Sequence, residues 1–263
     1  MPVQVMGILN LTPDSFSDGG QFLDPGRALI QARAMIGAGA DSLDLGGEST
    51  RPGAEPVPLE VELSRVIPVI TAIRAESRIP ISIDTLKPQV ARAAIEAGAS
   101  VWNDVTALGS PGAMNLAAEL GCDVVLMHMK GEPRTMQAAP HYEDVVAEVA
   151  SFLQARADQA MAAGVVRSRI WLDPGVGFGK SLAHNLTLMT HLDQIVALGF
   201  PVLLGVSRKR FIQSLDPFGT EPADRLGGSL AAALAGARAG VAAVRVHDVR
   251  ETVQALKVWE ALT

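Results

Sequence analysis

The feature that most constrains this chain is an alternation. Eight apolar runs of strand length recur along it: Val3 to Leu9, Ser42 to Leu45, Pro80 to Asp84, Val101 to Val105, Asp123 to Met127, Ile170 to Asp173, Pro201 to Val206 and Ala243 to His247. Between them lie alanine-rich stretches of helical periodicity, clearest in Arg27 to Ile36, Leu59 to Ile73, Tyr142 to Ala163 and Leu226 to Ala239. Gly39, Gly98, Gly121, Gly164, Gly199 and Gly240 stand just before the next run, where a left-handed residue closes a helix. Strictly alternating strands and helices imply a parallel sheet with right-handed crossovers. Eight such units in 263 residues predict an α/β fold, a closed (β/α)8 TIM barrel forming a single domain over 1–263. An open doubly wound sheet is the weaker alternative, because Gly175-Val-Gly177-Phe-Gly179 follows the sixth run and lacks the dinucleotide-binding spacing.

Composition narrows the function. With 22 basic and 28 acidic residues the net charge is −6, and only 4% of residues are aromatic, so no basic, stacking surface for nucleic acid is expected. No run approaches the roughly 18 apolar residues of a membrane span. The first residues show neither a basic leader nor a cleavage site. The single Cys122 reads as a buried, unpaired residue suited to a reducing compartment, so a cytoplasmic location is expected.

Barrel enzymes build their sites from the carboxyl ends of the strands, and here every such end carries polar chemistry. In order these ends hold Asn10, Gly46 to Arg51, Ser82 and Asp84, Asn103 and Asp104, His128, Asp173, Ser207 to Arg210, and Arg245 with His247. Ser82 and Asp84, like Arg245 and His247, are two apart and share one strand face. Turn and capping chemistry would account for some of these singly, as with Thr85 capping the helix entered at Pro88. Arg51, Arg208, Lys209, Arg210, Arg245 and His247 would offer donors to an anion, a phosphorylated or carboxylated small molecule. Asp84, Asn103 and Asp173 suit the N–H edge of a planar heterocycle.

Two long motifs, Gly7-Ile-Leu-Asn10-Leu-Thr12-Pro-Asp14-Ser15-Phe16-Ser-Asp18-Gly-Gly and Gly46-Gly-Glu-Ser-Thr50-Arg51-Pro-Gly53, carry a resemblance to the dihydropteroate synthase family. Ser82-Ile-Asp84-Thr85, Met127-His128-Met-Lys-Gly, Leu172-Asp173-Pro-Gly-Val-Gly-Phe178-Gly179-Lys180, Ser207-Arg208-Lys209 and Arg245-Val-His247-Asp248 extend it along the chain. The resemblance implies a transferase of folate biosynthesis joining 6-hydroxymethyl-7,8-dihydropterin pyrophosphate to 4-aminobenzoate, with a Mg²⁺ cofactor and a homodimeric state. It assigns Asp84, Asn103, Met127, Asp173 and Lys209 to the pterin, and Asn10, Arg51, Arg245 and His247 to the pyrophosphate, with Asn10 also the metal ligand. Thr50, Arg51, Pro52, Phe178, Ser207 and Arg210 fall to aminobenzoate, and Lys209, Asp84 and Arg245 to catalysis. Loops Asn10 to Asp24 and Gly46 to Pro58 are expected to close over the substrates. Where the family most often reads Ser-Arg-Lys-Ser, this chain has Arg210 in the last place.

Four other readings compete. A pterin-dependent methyltransferase would lack the Ser207-Arg208-Lys209 motif, and a class I aldolase would use Lys209 as a Schiff base. A metal-dependent hydrolase would recruit His128, Asp173 and His247. A non-catalytic pterin-binding paralogue would keep the pocket and lose the transfer. His141, His184 and His191 are expected on loop or helix surfaces with no functional part, and Leu226 to Gly240 is expected to pack either on a second subunit, as the resemblance implies, or simply on the barrel.

Overall fold

A computed structural model describes residues 2–12, 25–49, 54–131 and 135–263. Eight parallel strands, β1 (Gln4–Asn10), β2 (Ser42–Gly46), β3 (Ile81–Asp84), β4 (Val101–Asp104), β5 (Asp123–Met127), β6 (Ile170–Asp173), β7 (Leu203–Gly205) and β8 (Ala243–Val246), form one sheet in the order 6-5-4-3-2-1-8-7. A single Leu172–Val202 bridge and the Leu172 N–H bond to Pro201 O (2.9 Å) join β6 to β7 and complete the ring. The predicted TIM barrel is therefore present, with every predicted strand in place and its thinnest seam between β6 and β7.

Ten α-helices occupy the described residues: α1 (Pro25–Gly37), α2 (Leu59–Glu76), α3 (Pro88–Glu96), α4 (Ala113–Leu120), α5 (Val145–Ala162), α6 (Leu182–Thr190), α7 (Leu192–Val196), α8 (Arg210–Leu215), α9 (Leu226–Ala239) and α10 (Val249–Leu262). All six glycines read as helix stops have positive φ, from 58° at Gly121 to 113° at Gly98. Asp144 caps α5 by accepting the Val146 and Ala147 N–H groups. Ser181 and His184 form a reciprocal capping box on α6, which gives His184 a structural role. Thr85 does not cap α3: Lys87 holds the cap position, while Thr85 Oγ1 accepts the Lys87 N–H and Thr85 O accepts the Trp102 indole.

Apolar side chains fill two spaces. Most of the core lies between strands and helices, where Leu43, Leu45, Ile81, Ile83, Val124 and Leu126 meet the helical ring. A smaller group, Met6, Val125, Leu203 and Ala243 with Val101 and Trp171, plugs the barrel lumen. Two residues further on, on the same strand faces, come Asn103, Met127, Asp173, Gly205 and Arg245. One pleat, about 6.6 Å of rise, thus separates an apolar floor from a polar chamber at the carboxyl ends. Cys122 is buried beside β5 with its thiol pKa pushed up to about 11, as an inert core residue requires.

Candidate active site

The polar chamber is organised around an arginine. Arg245 Nε donates to Asp44 Oδ2 at 2.5 Å and its terminal nitrogen to Asp84 Oδ2 at 2.9 Å. Register explains the convergence: Asp44 lies opposite Ser82 on the neighbouring strand, and Asp84 opposite both Gly46 and Asn103. Asn103 Nδ2 in turn reaches the Asp44 oxygens at 3.3 and 3.4 Å. Asp44 is fully buried and binds both partners, yet the sequence reading passed over it. Its signal was the two-residue spacing from Gly46, which puts it on the lumen face of β2.

Burial raises Asp84 above the ordinary carboxylate range, Arg245 opposing and Asp44 adding to the effect. For Arg245 burial works against the charge, but Asp44 and Asp84 more than offset it and raise its pKa. Asp84 Oδ1 and Ser82 Oγ are buried without any hydrogen-bond partner. Two unpartnered polar atoms in a buried chamber are costly unless a ligand meets them.

Asp173 and Lys209 form the chamber's other wall, across the β6–β7 seam. Gly205 leaves the space between them open, since a Cβ there would lie 3.7 Å from Lys209 Nζ and 3.9 Å from Asp173 Oδ2. Lys209 Nζ donates to Val176 O and stands 4.7 Å from the centre of the Phe178 ring. Burial lowers its pKa to about 8 despite Asp173 nearby. Asp173 is raised by burial and accepts the Gly175 N–H at 2.7 Å. Met127, buried at the end of β5, abuts this turn.

On the rim, Ser207 Oγ lies 3.0 Å from His247 Nδ1 and accepts the His247 N–H, so these two residues form one unit. Asn10 is half-buried at the end of β1. Arg210 is exposed at the first position of α8, directly after Lys209. Arg208 corrects the sequence expectation of a free anion donor. Its guanidinium is paired with Asp248 at 3.0 and 2.5 Å, and its backbone, at φ +58°, is tied to Ser229 Oγ and Arg225. Asp104 is likewise structural, accepting the Thr106 and Leu108 N–H groups.

Thr50, Arg51 and Pro52 lie outside the described residues, as do 13–24 of the first loop. The base of the second loop is described. Lys87 bridges Glu48 and the fully buried Glu62, Glu48 Oε1 accepts the Val57 N–H, and Arg65 holds Gly47 O. His128 packs against Lys180, and His247 pairs with Ser207, so the histidine set a hydrolase metal would need is not assembled. Among the described residues no cluster of three His, Cys, Asp or Glu could hold a metal ion.

A (β/α)8 barrel whose carboxyl rim presents buried carboxylates opposite arginine and lysine defines a class of enzymes for anionic heterocycles. The family model described as pterin binding enzyme matches residues 6–247. Dihydropteroate synthase of Escherichia coli K12 is 49% identical over 257 residues, 98% of this chain and 90% of that protein. The solved dihydropteroate synthase of Xanthomonas albilineans with 4-aminobenzoic acid superposes with a TM-score of 0.93 at 52% identity, covering 99% of this chain and 93% of its own. The same enzyme in complex with 7,8-dihydropteroate gives a TM-score of 0.89 at 49% identity, over 99% and 94%. This chain belongs to the dihydropteroate synthase family of pterin-binding barrel enzymes.

Proposed function

We propose that this enzyme joins 6-hydroxymethyl-7,8-dihydropterin pyrophosphate to 4-aminobenzoate, yielding 7,8-dihydropteroate and pyrophosphate. The observation that carries the reading is the lumen chamber, in which Asp84 Oδ1 and Ser82 Oγ are buried without partners beside Asn103 and Asp173. An aminopyrimidine edge supplies N–H donors to those acceptors. Lys209, over the Phe178 ring, closes the opposite face of the heterocycle.

The reaction follows from charge placement. Breaking the C–O bond to pyrophosphate leaves a cation at the pterin methylene, delocalised into the ring and faced by the Asp84 and Asp173 carboxyls. Arg245 and His247 stand where the departing anion collects charge. The guanidinium nitrogen of Arg245 not used by Asp44 or Asp84 has no partner among the described residues, which suits it to this work. The aryl amine is neutral at pH 7 and attacks without a strong base, so no nucleophilic triad is needed. Water must be kept from the cation, and the base of the loop after β2, held by Lys87, Glu48 and Glu62, is the described part of the wall that would do so. This is a dissociative, SN1-like transfer.

Mg²⁺ fits the donor set. With no acidic cage among the described residues, Asn10 offers one neutral oxygen, and pyrophosphate oxygens with water supply the rest. When bound, the ion would neutralise the leaving group. A homodimer through α9 is supported by Gly227, Ala231 and Ala235, exposed residues four apart that would admit a second helix closely. Gly228 and Gly236 on the same helix serve the barrel instead, because a Cβ there would strike Ile212 and Leu204 at 2.3 and 2.4 Å. Light scattering on the eluting protein tests the dimer. No helix among the described residues is long and apolar enough to cross a membrane, and a cytoplasmic location agrees with the buried free thiol.

Pyrophosphate release, followed with and without 4-aminobenzoate and repeated with Asp173→Ala and Lys209→Ala, tests the assignment. Product formation by the wild type and its loss in both variants are expected; activity surviving Asp173→Ala would overturn the pocket. Positional isotope exchange in the pterin pyrophosphate without amine is expected for a dissociative course, and its absence would count against one.

A further inference from the structure

Behind the turn that follows β6 lies a buried polar centre the reaction above does not use. Lys180 is 2% exposed. Its Nζ is 2.9 Å from His128 Nδ1, 2.9 Å from Gly175 O and 3.1 Å from Phe178 O. An ammonium has three N–H donors, and these three acceptors stand closest, with His128 O further off at 3.4 Å, if His128 carries its own proton on Nε2. Burial, together with Lys180, pushes the His128 pKa down to about 3, which keeps that ring neutral and able to accept. The turn is shaped for this centre. Gly175 has φ +65°, and a Cβ there would fall 1.8 Å from His128 O; Gly179 has φ +60°, and a Cβ would fall 2.2 Å from Lys130 O. Gln137 and Asn185 fix Gly177 between them.

Apart from the more distant His128 O, each carbonyl Lys180 holds belongs to a residue that reaches the active site. Gly175 donates its N–H to Asp173 Oδ1, Phe178 faces the Lys209 ammonium with its ring, and Val176 between them accepts from Lys209. We propose that Lys180, seated on His128, is a positioning residue that fixes the Gly175–Gly179 turn and supplies a buried positive charge behind Asp173 that favours the ionised carboxylate towards the pterin. This rests on the pterin-transfer reading above. The charged groups facing Asp173 are Lys209 after β7, Arg245 on β8 and Lys180 before α6, all acting to keep it ionised against burial. Facing Lys180 are Asp173, which favours its charge, Lys209, which opposes it, and the neutral His128; burial lowers the Lys180 pKa to about 7, so its charge is held on the acid side of neutrality, where the acid limb of the reaction lies.

The test compares wild type, Lys180→Met, which keeps most of the stem and removes charge and donors, and Lys180→Arg, which keeps both. KM for the pterin pyrophosphate, KM for 4-aminobenzoate and kcat/KM are measured from acid to neutral pH. Losing the positive charge raises the Asp173 pKa, so the acid limb of kcat/KM for the pterin pyrophosphate should move to higher pH in Lys180→Met, and KM should rise about tenfold or more. Lys180→Arg should restore the limb. A purely structural lysine would lower activity evenly and leave the limb in place, and that result overturns the proposal. If Lys180→Met does not fold, Lys180→Gln, which retains an amide donor without charge, is held to the same limb shift. Absence of transfer in the wild type would instead refute the reading on which the proposal rests.

Discussion

Replacing Asp44 by asparagine isolates the charge that organises the chamber. Asp44 is fully buried, and its oxygens serve Arg245 at 2.5 Å and Asn103 at 3.3 Å. With charge centres about 4 Å apart and an effective dielectric of about 20, the attraction to Arg245 is roughly 4 kcal/mol. Desolvation of the buried carboxylate, several kcal/mol on its own, is relieved by the same substitution. The two nearly cancel, leaving a stability loss of about 1–2 kcal/mol and a fall in Tm of about 2–8 °C for a domain of this size. Function should suffer more. The new amide must turn its NH2 either towards Arg245, which is then held by Asp84 alone, or towards Asn103, donor against donor, with only a neutral oxygen left for Arg245. We expect kcat/KM to fall about a hundredfold, equivalent to about 2.7 kcal/mol of barrier. The acid limb should also move to lower pH, because removing a neighbouring negative charge favours the ionised form of Asp84. Steady-state kinetics across pH, with thermal unfolding as the control, read all three. A folded Asp44→Asn protein within threefold of wild type would refute Asp44 as the hub.

The remaining expectations are shorter. Activity that needs the Lys209 ammonium should decline as pH rises through about 8, where burial has placed that pKa; a plateau to pH 10 would show that the charge is not required. Arg208→Ala removes the Asp248 pairing and should lower stability by about 1–2 kcal/mol, while KM for the pterin pyrophosphate stays within threefold. A tenfold rise in KM would return Arg208 to the anion site. Arg210→Ser alters an exposed side chain and keeps the backbone donor, so turnover should stay within about tenfold, or 1.4 kcal/mol; a larger loss would make the arginine itself a ligand.

The fold was legible because its signals are local. Strand length, apolar content and the glycine before each strand are written within a few residues, and the ring closed as their count predicts. The lumen face was legible for the same reason: a period of two carried Ser82 with Asp84. What the sequence could not show was pairing across the barrel. Arg208 and Arg245 are both arginines at strand ends, yet one is spent on Asp248 and the other on Asp44 and Asp84. Only register and the positive φ of Arg208 separate them. Asp44 was missed because it precedes a conspicuous glycine motif and lies inside the strand. Lys180 closes the sixth-strand motif in sequence, but its acceptors come from two different loops.

The site is concentrated where the barrel is least complete. β7 has three residues, and a single bridge joins it to β6. A seam with few ladder bonds leaves backbone groups needing other partners. At this seam the partners come from the functional residues: Asp173 takes the Gly175 N–H, Lys209 takes Val176 O, and Lys180 takes Gly175 O and Phe178 O. Polar side chains that would be costly in a closed barrel wall are thus satisfied by main chain that would otherwise lack bonds. The same arrangement gives the heterocycle two walls made largely of backbone-locked groups, Asp173 with its turn and Lys209 with its helix start. Removing a turn-side partner should therefore loosen both walls together, whereas removing Asp44 acts directly on Arg245 and reaches Asp173 only through that charge. A double variant of Asp44→Asn and Lys180→Met should accordingly lose kcat/KM additively in free energy, to within about 0.5 kcal/mol. Strong non-additivity would mean the two halves of the chamber are one coupled network.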